Sequence, residues 1–297
     1  MYNGIINIYK EKGFTSHDVV AKLRGILKQK KIGHTGTLDP DAEGVLPVCL
    51  GRGTKLCDML TDKEKVYEAE LLLGIETDTQ DTSGAIINRT EVNVSENEVF
   101  EAIMSFLGTY DQIPPMYSAL KVGGRKLYDL AREGQIIERK PRQVTIHDID
   151  ILEMKLPFVK FKVHCSKGTY IRTLCHDIGE KLGCHGCMSS LVRTRVSYFD
   201  ISQSITVSKA EEYMKEGRID SFIVPVDQLF EALPAFYDDG QNEKLLCNGN
   251  EFPPNGKIMY GEVRVYKKND TFVGIYHYNS KKNMYSPVKI FYDPSEE

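Results

Sequence analysis

The sequence predicts an α+β fold in which a mixed, mostly antiparallel sheet is flanked by helices and followed by a small β-rich unit. Three observations carry this prediction. Apolar residues recur every three or four positions in some stretches and alternate with polar residues in others. Beyond about residue 233, short alternating runs are separated by Asn, Gly and Asp turns. At 297 residues, the chain is also long enough for one large domain and one small one.

The elements predicted in the first part of the chain are a strand over residues 1–10, a helix over 15–30, a strand over 66–74 and a helix over 95–107. The first helix carries apolar residues at helical spacing behind Thr15 and Ser16, which are candidate N-caps. The second helix begins after Ser95, and Glu98 stands at the spacing of a capping box. A glycine-rich loop follows the first helix.

The elements predicted in the rest of the chain are strands over 143–154 and 157–165, helices over 170–182 and 208–214, and strands over 262–266 and 272–276. The helix over 170–182 is predicted because its apolar residues recur at spacings of three and four. The last two strands belong to the β-rich texture of the C-terminal unit. We therefore expect two domains, over residues 1–232 and 233–297.

The composition is that of a soluble globular protein, with 41% hydrophobic and 27% charged residues. The N-terminus lacks the basic and apolar regions of a secretory signal, and no apolar run approaches the roughly 18 residues of a membrane helix. We therefore expect a cytoplasmic protein without a membrane partner. The seven cysteines are odd in number and scattered, which favours reduced thiols over a disulfide framework.

The charge is unevenly distributed, although its net value is only −4. Residues 1–55 carry nine basic and five acidic side chains, and residues 121–195 carry fifteen and eight, so the rest of the chain carries −15. Two positive segments that fold together would form the basic face of a nucleic-acid groove. The alternative is a chance fluctuation of surface charge.

The loop over residues 31–55 concentrates glycines, hydroxyls, a histidine and three carboxylates. Loops of this kind often hold reactive groups. The stretch Gly51-Arg52-Gly53-Thr54-Lys55 lacks the spaced Gly-Lys-Ser/Thr of a phosphate-binding loop. Taken alone, Asp39 before Pro40 would more often only start a turn.

The whole run Gly-His-Thr-Gly-Thr-Leu-Asp-Pro-x-Ala-x-Gly-Val-Leu, from Gly33 to Leu46, resembles the signature of TruB-type pseudouridine synthases. The resemblance continues through Lys65-Val66-Tyr67, the segments 74–79 and 112–121, and Gly168-Thr169-Tyr170-Ile171-Arg172-Thr173-Leu174. It spans residues 1 to 200 in order. It implies a pseudouridine synthase fold with an RNA-binding insert near 110–142, and residues 233–297 resemble the PUA-like RNA-binding domain of bacterial members.

The resemblance implies a function on tRNA. The expected reaction isomerises uridine 55 in the T-arm loop to pseudouridine, after the enzyme has flipped the base out of the RNA. It implies no cofactor and no metal. The expected partner is tRNA, and we expect a monomer without an obligate protein partner.

The resemblance also assigns three catalytic residues. Asp39 is expected to be the nucleophile, since a carboxylate can both add and leave. It could attack C6 of the base or C1′ of the ribose, or assist deprotonation at C2′. Arg172 matches the family's active-site arginine, which would keep Asp39 ionised. Tyr67 matches the family's active-site tyrosine, which is expected to stack on the target base and is the candidate base for removal of the C5 proton.

The remaining site residues are expected to bind RNA. His34 is the residue expected to fill the space that the flipped base leaves, and the segment around Tyr117 and Lys121 interleaves aromatic and basic side chains, as RNA loops require. For an isolated loop histidine or a glycine-rich insert, a solvated loop is the alternative. The full set expected to contact RNA or the base is His34, Gly36, Thr37, Tyr117, Lys121, Arg125, Lys126, Tyr170, Leu191 and Arg193.

Two features depart from the family pattern. Cys184 and Cys187 form a C-x-x-C that could be half of a zinc site, but no second pair follows, so we interpret them as packing residues. Val192 stands where an arginine is common, which leaves Arg193 and Arg195 as the candidates there. Three hypotheses follow: an RNA-isomerising enzyme, which leads, a non-catalytic tRNA-binding or folding module on the same scaffold, and a zinc enzyme.

Overall fold

The computed structural model describes residues 1–294. The strands are β1 (Gly4–Lys10), β2 (Ile32–His34), β3 (Glu43–Leu50), β4 (Lys65–Leu73), β5 (Ile75–Thr77), β6 (Ile86–Arg89), β7 (Gly108–Gln112), β8 (Lys121–Val122), β9 (Arg125–Lys126), β10 (Arg142–Lys155), β11 (Phe158–Cys165), β12 (Gly186–Val196), β13 (Phe199–Asp200), β14 (Ile223–Val224), β15 (Ala235–Tyr237), β16 (Glu262–Tyr266), β17 (Phe272–Asn279) and β18 (Met284–Ile290). The α-helices are α1 (Ser16–Leu27), α2 (Cys57–Thr61), α3 (Glu96–Met104), α4 (Leu127–Arg132), α5 (Ile171–Lys181), α6 (Val207–Lys215) and α7 (Glu243–Cys247).

A ten-stranded sheet forms the centre of the fold. Its order is β14-β1-β3-β12-β4-β11-β10-β7, with β2 paired to β3 and β13 paired to β12. Among the pairings of these named strands, only that of β3 with β12 is parallel, where Val192 faces Glu43 and Arg193 faces Gly44. The sheet is therefore mixed and mostly antiparallel, as predicted.

Helices cover the sheet through two apolar clusters. Helices α3 and α5 pack on the strands around β4 and β11, where Phe161 and Leu174 are fully buried. Helices α1 and α6 pack on β1 and β3. Burial of these amphipathic faces is the main stabilising contribution. The predicted caps are confirmed, because Thr15 and Ser95 each form a capping box with the residue three positions later.

The C-terminal part of the chain forms a separate four-stranded sheet in the order β15-β16-β17-β18. It has its own apolar cluster, which includes Phe252 and Tyr285. Ile275 and Phe291 pack instead with Ile5 and Val45 of the central sheet. The small β-rich unit is thus present and rests against the larger one. The predicted boundary at residue 233 stays a prediction, and residues 295–297 of the predicted domain lie outside the described part of the chain.

The predicted insert near 110–142 contains a two-residue hairpin turn. Gly123 and Gly124 have φ angles of +59° and +84°, and they connect β8 to β9. Two consecutive positive φ angles are what a tight hairpin turn requires, and glycine adopts them without strain. Gly123 and Gly124 therefore form a defined turn between the two short strands.

Candidate active site

A cleft of about 880 Å³ opens at the middle of the central sheet. The loop after β2, the start of α5 and the middle of β12 line it together with the segments around residues 79–83 and 117–119. The predicted site residues that line it are Gly36, Thr37, Asp39, Tyr67, Tyr117, Tyr170, Arg172, Leu191 and Arg193. Those that do not are His34, Lys121, Arg125 and Lys126.

Asp39 and Arg172 form an ion pair in this cleft. The Nε of Arg172 lies 3.0 Å from Oδ2 of Asp39. The arginine side chain is 6% exposed and the aspartate side chain is 42% exposed. The carboxylate therefore faces the open cleft while its cation lies in the wall behind it, an arrangement that leaves the carboxylate accessible to a ligand.

The other nitrogens of Arg172 bind the protein. Its Nη1 donates to the carbonyl oxygen of Thr79 at 2.9 Å, and its Nη2 donates to that of Tyr117 at 2.8 Å. Asp81 adds a second carboxylate 3.7 Å from Nη1. The planar guanidinium thus holds several groups in fixed directions, which a lysine at the same position would not do.

Helix α5 carries Arg172 in its first turn, and Gln112 fixes the start of that helix. The side-chain amide of Gln112 accepts a hydrogen bond from the Tyr170 N–H at 2.8 Å and donates one to the Tyr170 carbonyl at 3.0 Å. Gln112 is 1% exposed. This buried clamp gives the first turn of α5 a defined position relative to β7.

The loop that carries Asp39 is held from two sides. Lys10 is buried, and its Nζ donates to the carbonyl oxygens of Phe14 at 2.6 Å and Pro40 at 3.1 Å. Burial lowers the pKa of Lys10 to about 8. On the other side, the Ser16 hydroxyl accepts a hydrogen bond from the Leu38 N–H at 2.9 Å. Asp39 therefore lies between two anchored residues.

Arg193 lies beneath the cleft and is 1% exposed. Its guanidinium donates to the carbonyl oxygens of Val45 at 2.8 Å and Gly36 at 3.2 Å. Burial lowers the pKa of Arg193, and its charge lies near the phenol of Tyr67. These are the contacts of a residue that positions the loop. Its predicted contact with RNA stays a prediction, and its location is interior where a surface contact was expected.

Tyr67 is buried at the cleft floor and 8% exposed. Burial raises the pKa of its phenol to about 12, although Arg193 acts in the opposite direction. The phenol is therefore protonated at neutral pH, with the charge of Arg193 nearby. Leu191, which is 8% exposed, lines the same cleft.

His34 lies at the end of β2, outside the cleft lining. Its Nδ1 accepts a hydrogen bond from the Gly36 N–H at 3.3 Å, and its ring meets that of His17 edge to face at 5.3 Å. Burial, followed by the charges of His17 and Arg193, lowers the pKa of His34. A neutral imidazole at this place has the shape and polarity of a group that stacks on bases.

Three basic residues predicted to bind RNA lie at the hairpin of the insert. Lys121 and Arg125 are exposed, and Arg125 forms an ion pair with Glu133. The Nζ of Lys126 lies 5.1 Å from the ring centre of Tyr128. Tyr117, which lines the cleft, donates its hydroxyl to Asp78 at 3.4 Å. The basic side chains are therefore at the surface of the insert, outside the cleft lining.

The cysteines of the C-x-x-C are core residues. Cys184 is 3% exposed and Cys187 is fully buried. Burial raises the pKa of Cys187 to about 11 and also raises that of Cys184. Thiols of this kind stay protonated and pack as small apolar groups. Within residues 1–294, no three His, Cys, Asp or Glu side chains are grouped as metal ligands.

The sequence prediction missed four residues of the site: Lys10, Gln112, Ser118 and Asp81. Lys10 ends a strand, and its sequence neighbours gave no sign of burial. Gln112 and Ser118 lie within the segment 112–121 that carried the family resemblance, and Asp81 lies two residues beyond the segment 74–79, but nothing in their spacing pointed to a contact with helix α5 or the cleft.

The chain matches two family models. Residues 24–171 match the TruB family pseudouridylate synthase N-terminal domain, and residues 172–231 match the tRNA pseudouridylate synthase B C-terminal domain. It is 55% identical over 305 residues to the tRNA pseudouridine synthase B of Lachnoclostridium phytofermentans, which covers 97% of this chain and 99% of the relative. It is 45% identical to that of Clostridium kluyveri, again covering 97% and 99%.

Solved structures are similar over nearly the whole chain. A chain in the crystal structure of a Cbf5-Nop10-Gar1 complex has a TM-score of 0.71 and 28% identity, covering 98% of this chain and 86% of that one. A chain of an H/ACA RNP bound to a substrate RNA containing 2′-deoxyuridine has a TM-score of 0.69 and 26% identity, with coverage of 97% and 85%. The helices within residues 1–294 are all too short or too polar to cross a membrane.

Proposed function

The chain belongs to the TruB family of pseudouridylate synthases, and we propose that it converts uridine 55 in the T-arm loop of tRNA to pseudouridine. The relatives named tRNA pseudouridine synthase B make it a tRNA pseudouridine synthase, with the pseudouridine synthase fold that the sequence predicted. We propose both the position of the modified uridine in tRNA and the roles of the individual residues.

One observation carries the residue assignment: the half-exposed carboxylate of Asp39 lies 3.0 Å from the buried guanidinium of Arg172 at the cleft. A carboxylate that enters a dry pocket with a base would take up a proton unless a cation stays beside it. The ion pair supplies that cation. Asp39 is therefore the nucleophile of the proposed reaction, and Arg172 pairs with its carboxylate and orients it.

The reaction is an isomerisation and needs no electron donor or acceptor. The N1–C1′ bond breaks, a C5–C1′ bond forms, N1 gains a proton and C5 loses one. Asp39 acts by adding to C6 of the base or to C1′ of the ribose, or by assisting deprotonation at C2′. Tyr67 lies on the cleft floor, where it packs on the base and lies within reach of the C5 proton.

The substrate base must leave the RNA stack before it can enter the cleft. Extrusion costs a few kcal/mol, which other contacts must offset. His34 is the residue we propose to occupy the space left in the loop. The exposed Lys121 and Arg125, with Tyr117 and Lys126, bind the T-arm through phosphates and stacked bases.

The C-terminal sheet is proposed to act as a PUA-like unit that binds the acceptor-stem side of tRNA. Its four strands and separate apolar cluster support a unit with its own surface. We propose that the chain works as a monomer in the cytoplasm and without a protein partner, metal or cofactor.

The test uses the purified chain, unmodified tRNA with tritium at uridine C5, and a chelator. We expect stoichiometric release of label to water by the parent chain. Asp39→Asn should slow release by at least about 10⁴-fold. Asp111→Asn, which removes an exposed carboxylate outside the cleft lining, is the control and should release label at the parent rate.

A second substrate tests the position. A tRNA in which cytidine replaces only uridine 55 should release no label above background. Release from that tRNA would contradict the assignment of position 55. Equal release by Asp39→Asn and the parent would remove Asp39 from its role, and tRNA binding without any release would favour the non-catalytic module.

A further inference from the structure

Ser118 carries a buried hydroxyl that no residue within 1–294 satisfies. The residue is 4% exposed, and its Oγ has no hydrogen-bond partner. Six side-chain atoms share this property within residues 1–294, and among their residues Ser118 is the one that lines the cleft. A buried hydroxyl without a partner costs free energy, so such groups are rare unless a ligand completes them.

The position of Ser118 is fixed by its backbone. Its N–H donates to the Met116 carbonyl at 2.9 Å, and its carbonyl accepts from the Tyr128 N–H at 3.1 Å. The preceding carbonyl, of Tyr117, accepts from Arg172 Nη2 at 2.8 Å. The hydroxyl is therefore held one residue away from the atom that binds the arginine of the Asp39 pair.

Ser118 also has a polar neighbour that belongs to the cleft. Burial raises the pKa of the Tyr170 phenol, and the nearby Ser118 side chain acts in the opposite direction. The two hydroxyls nevertheless form no hydrogen bond of normal length. Two hydroxyls thus face the same space, and each can donate or accept.

We propose that Ser118 Oγ binds the polar edge of the flipped-out uracil, completing its hydrogen bond only when the base is in the cleft. This inference rests on the proposed function. The edge of uracil presents two carbonyl oxygens and an N–H between them, so a hydroxyl can pair with it as donor or acceptor. Ser118 is thus a binding residue whose partner is the base.

The hydrogen bond between Ser118 and the uracil should stabilise the state in which the base is flipped out. It should leave the initial binding of tRNA unchanged. Affinity for tRNA comes mainly from phosphate contacts spread over the RNA, whereas Ser118 meets the base only after extrusion. Ser118→Ala should therefore leave the Kd for tRNA within about twofold and lower the single-turnover rate at saturating enzyme about tenfold.

Stability provides the readout that separates this role from a structural one. Removal of an unsatisfied buried hydroxyl should leave the melting temperature of Ser118→Ala unchanged or slightly raised. Ser204→Ala is the matched control, because Ser204 Oγ donates to the Ile201 carbonyl at 2.6 Å, far from the cleft lining. It should lower the melting temperature and keep the parent rate.

The experiment measures tritium release, tRNA affinity and thermal unfolding for the parent and both variants. A parent rate for Ser118→Ala would overturn the inference, and so would a lower melting temperature with a proportionate loss of tRNA binding. Absence of release by the parent would instead contradict the proposed function itself. Slow tritium release by Ser118→Ala, with an unchanged Kd for tRNA and an unchanged melting temperature, is the result that supports the proposed role of Ser118 in binding the base.

Discussion

The guanidinium of Arg172 donates a hydrogen bond of 2.8 Å to the carbonyl oxygen of Tyr117 while its Nε faces Asp39. The segment of the insert that precedes the hairpin of β8 and β9 is therefore bound to the same side chain as the proposed nucleophile. A substitution of Arg172 therefore affects both the segment at Tyr117 and Asp39.

Arg172→Lys should impair activity and stability together. Lysine keeps the charge but cannot direct donors to Asp39, Thr79 and Tyr117 at once. We expect release of tritium to slow by about 10²-fold and the free energy of unfolding to fall by about 2 kcal/mol. Arg89→Lys on the exposed strand β6 is the control, expected to change neither. Parent-like release by Arg172→Lys would show that charge alone suffices.

Tyr67→Phe removes a hydroxyl from the lining of the cleft. The pKa of about 12 keeps the phenol protonated in the resting enzyme, so we expect no alkaline break from Tyr67 in the single-turnover rate between about pH 7 and pH 10. We expect the variant to release tritium about 10²-fold more slowly, because we propose that the hydroxyl takes part in proton transfer. A variant as fast as the parent would limit Tyr67 to packing on the base.

Gly44→Ala should disrupt the parallel pairing of β3 with β12. Gly44 has a φ of +104°, and a Cβ there would overlap the backbone of Arg193. We expect a loss of at least about 3 kcal/mol in the free energy of unfolding, measured by denaturant titration. Gly25→Ala in helix α1, where a Cβ meets nothing within 4 Å, should instead stabilise by about 0.5–1 kcal/mol. Equal stability of the two variants would contradict this account.

Asp177→Asn should stabilise the protein at neutral pH. Burial, with a smaller contribution from Glu180, raises the pKa of Asp177 from 3.8 to about 7. The contribution of this group to stability is full below about pH 4 and is lost as the pH rises through about 7, because the unfolded chain ionises first. Asparagine does not ionise, so the variant does not lose this stability as the pH rises.

We expect the free energy of unfolding of Asp177→Asn to exceed that of the parent by roughly 1–2 kcal/mol at about pH 8 and to equal it near pH 4. The gain at pH 8 is limited because solvent surrounds the partly exposed carboxyl. Thermal unfolding at the two pH values measures it, and Asp111→Asn on the exposed edge of β7 serves as the control. A gain of equal size at both pH values would assign the effect to packing.

Local elements were predictable because they depend on neighbouring residues. The helix predicted over 170–182 is observed at Ile171–Lys181, and the strand predicted over 66–74 is observed at Lys65–Leu73. Spacing also predicted the helix start at Ser95, since a capping box involves residues only three positions apart.

The long-range arrangement of the site was predictable only in part. The family resemblance named Asp39, Tyr67 and Arg172, and these side chains line one cleft. It did not predict that Arg193 is interior or that Lys10 binds the Pro40 carbonyl, because both contacts depend on the pairing of strands far apart in sequence. Burial of a charged residue is visible only when its partners are known.

The bond from Arg193 to the Val45 carbonyl joins residues 148 positions apart. During synthesis, the loop that carries Asp39 leaves the ribosome long before the strand that holds it from below. Contacts of such sequence separation form late in folding, because closing the intervening chain costs entropy. A nascent chain that ends before β12 thus carries Asp39 without its support, and the cleft is complete only when most of the protein has been made.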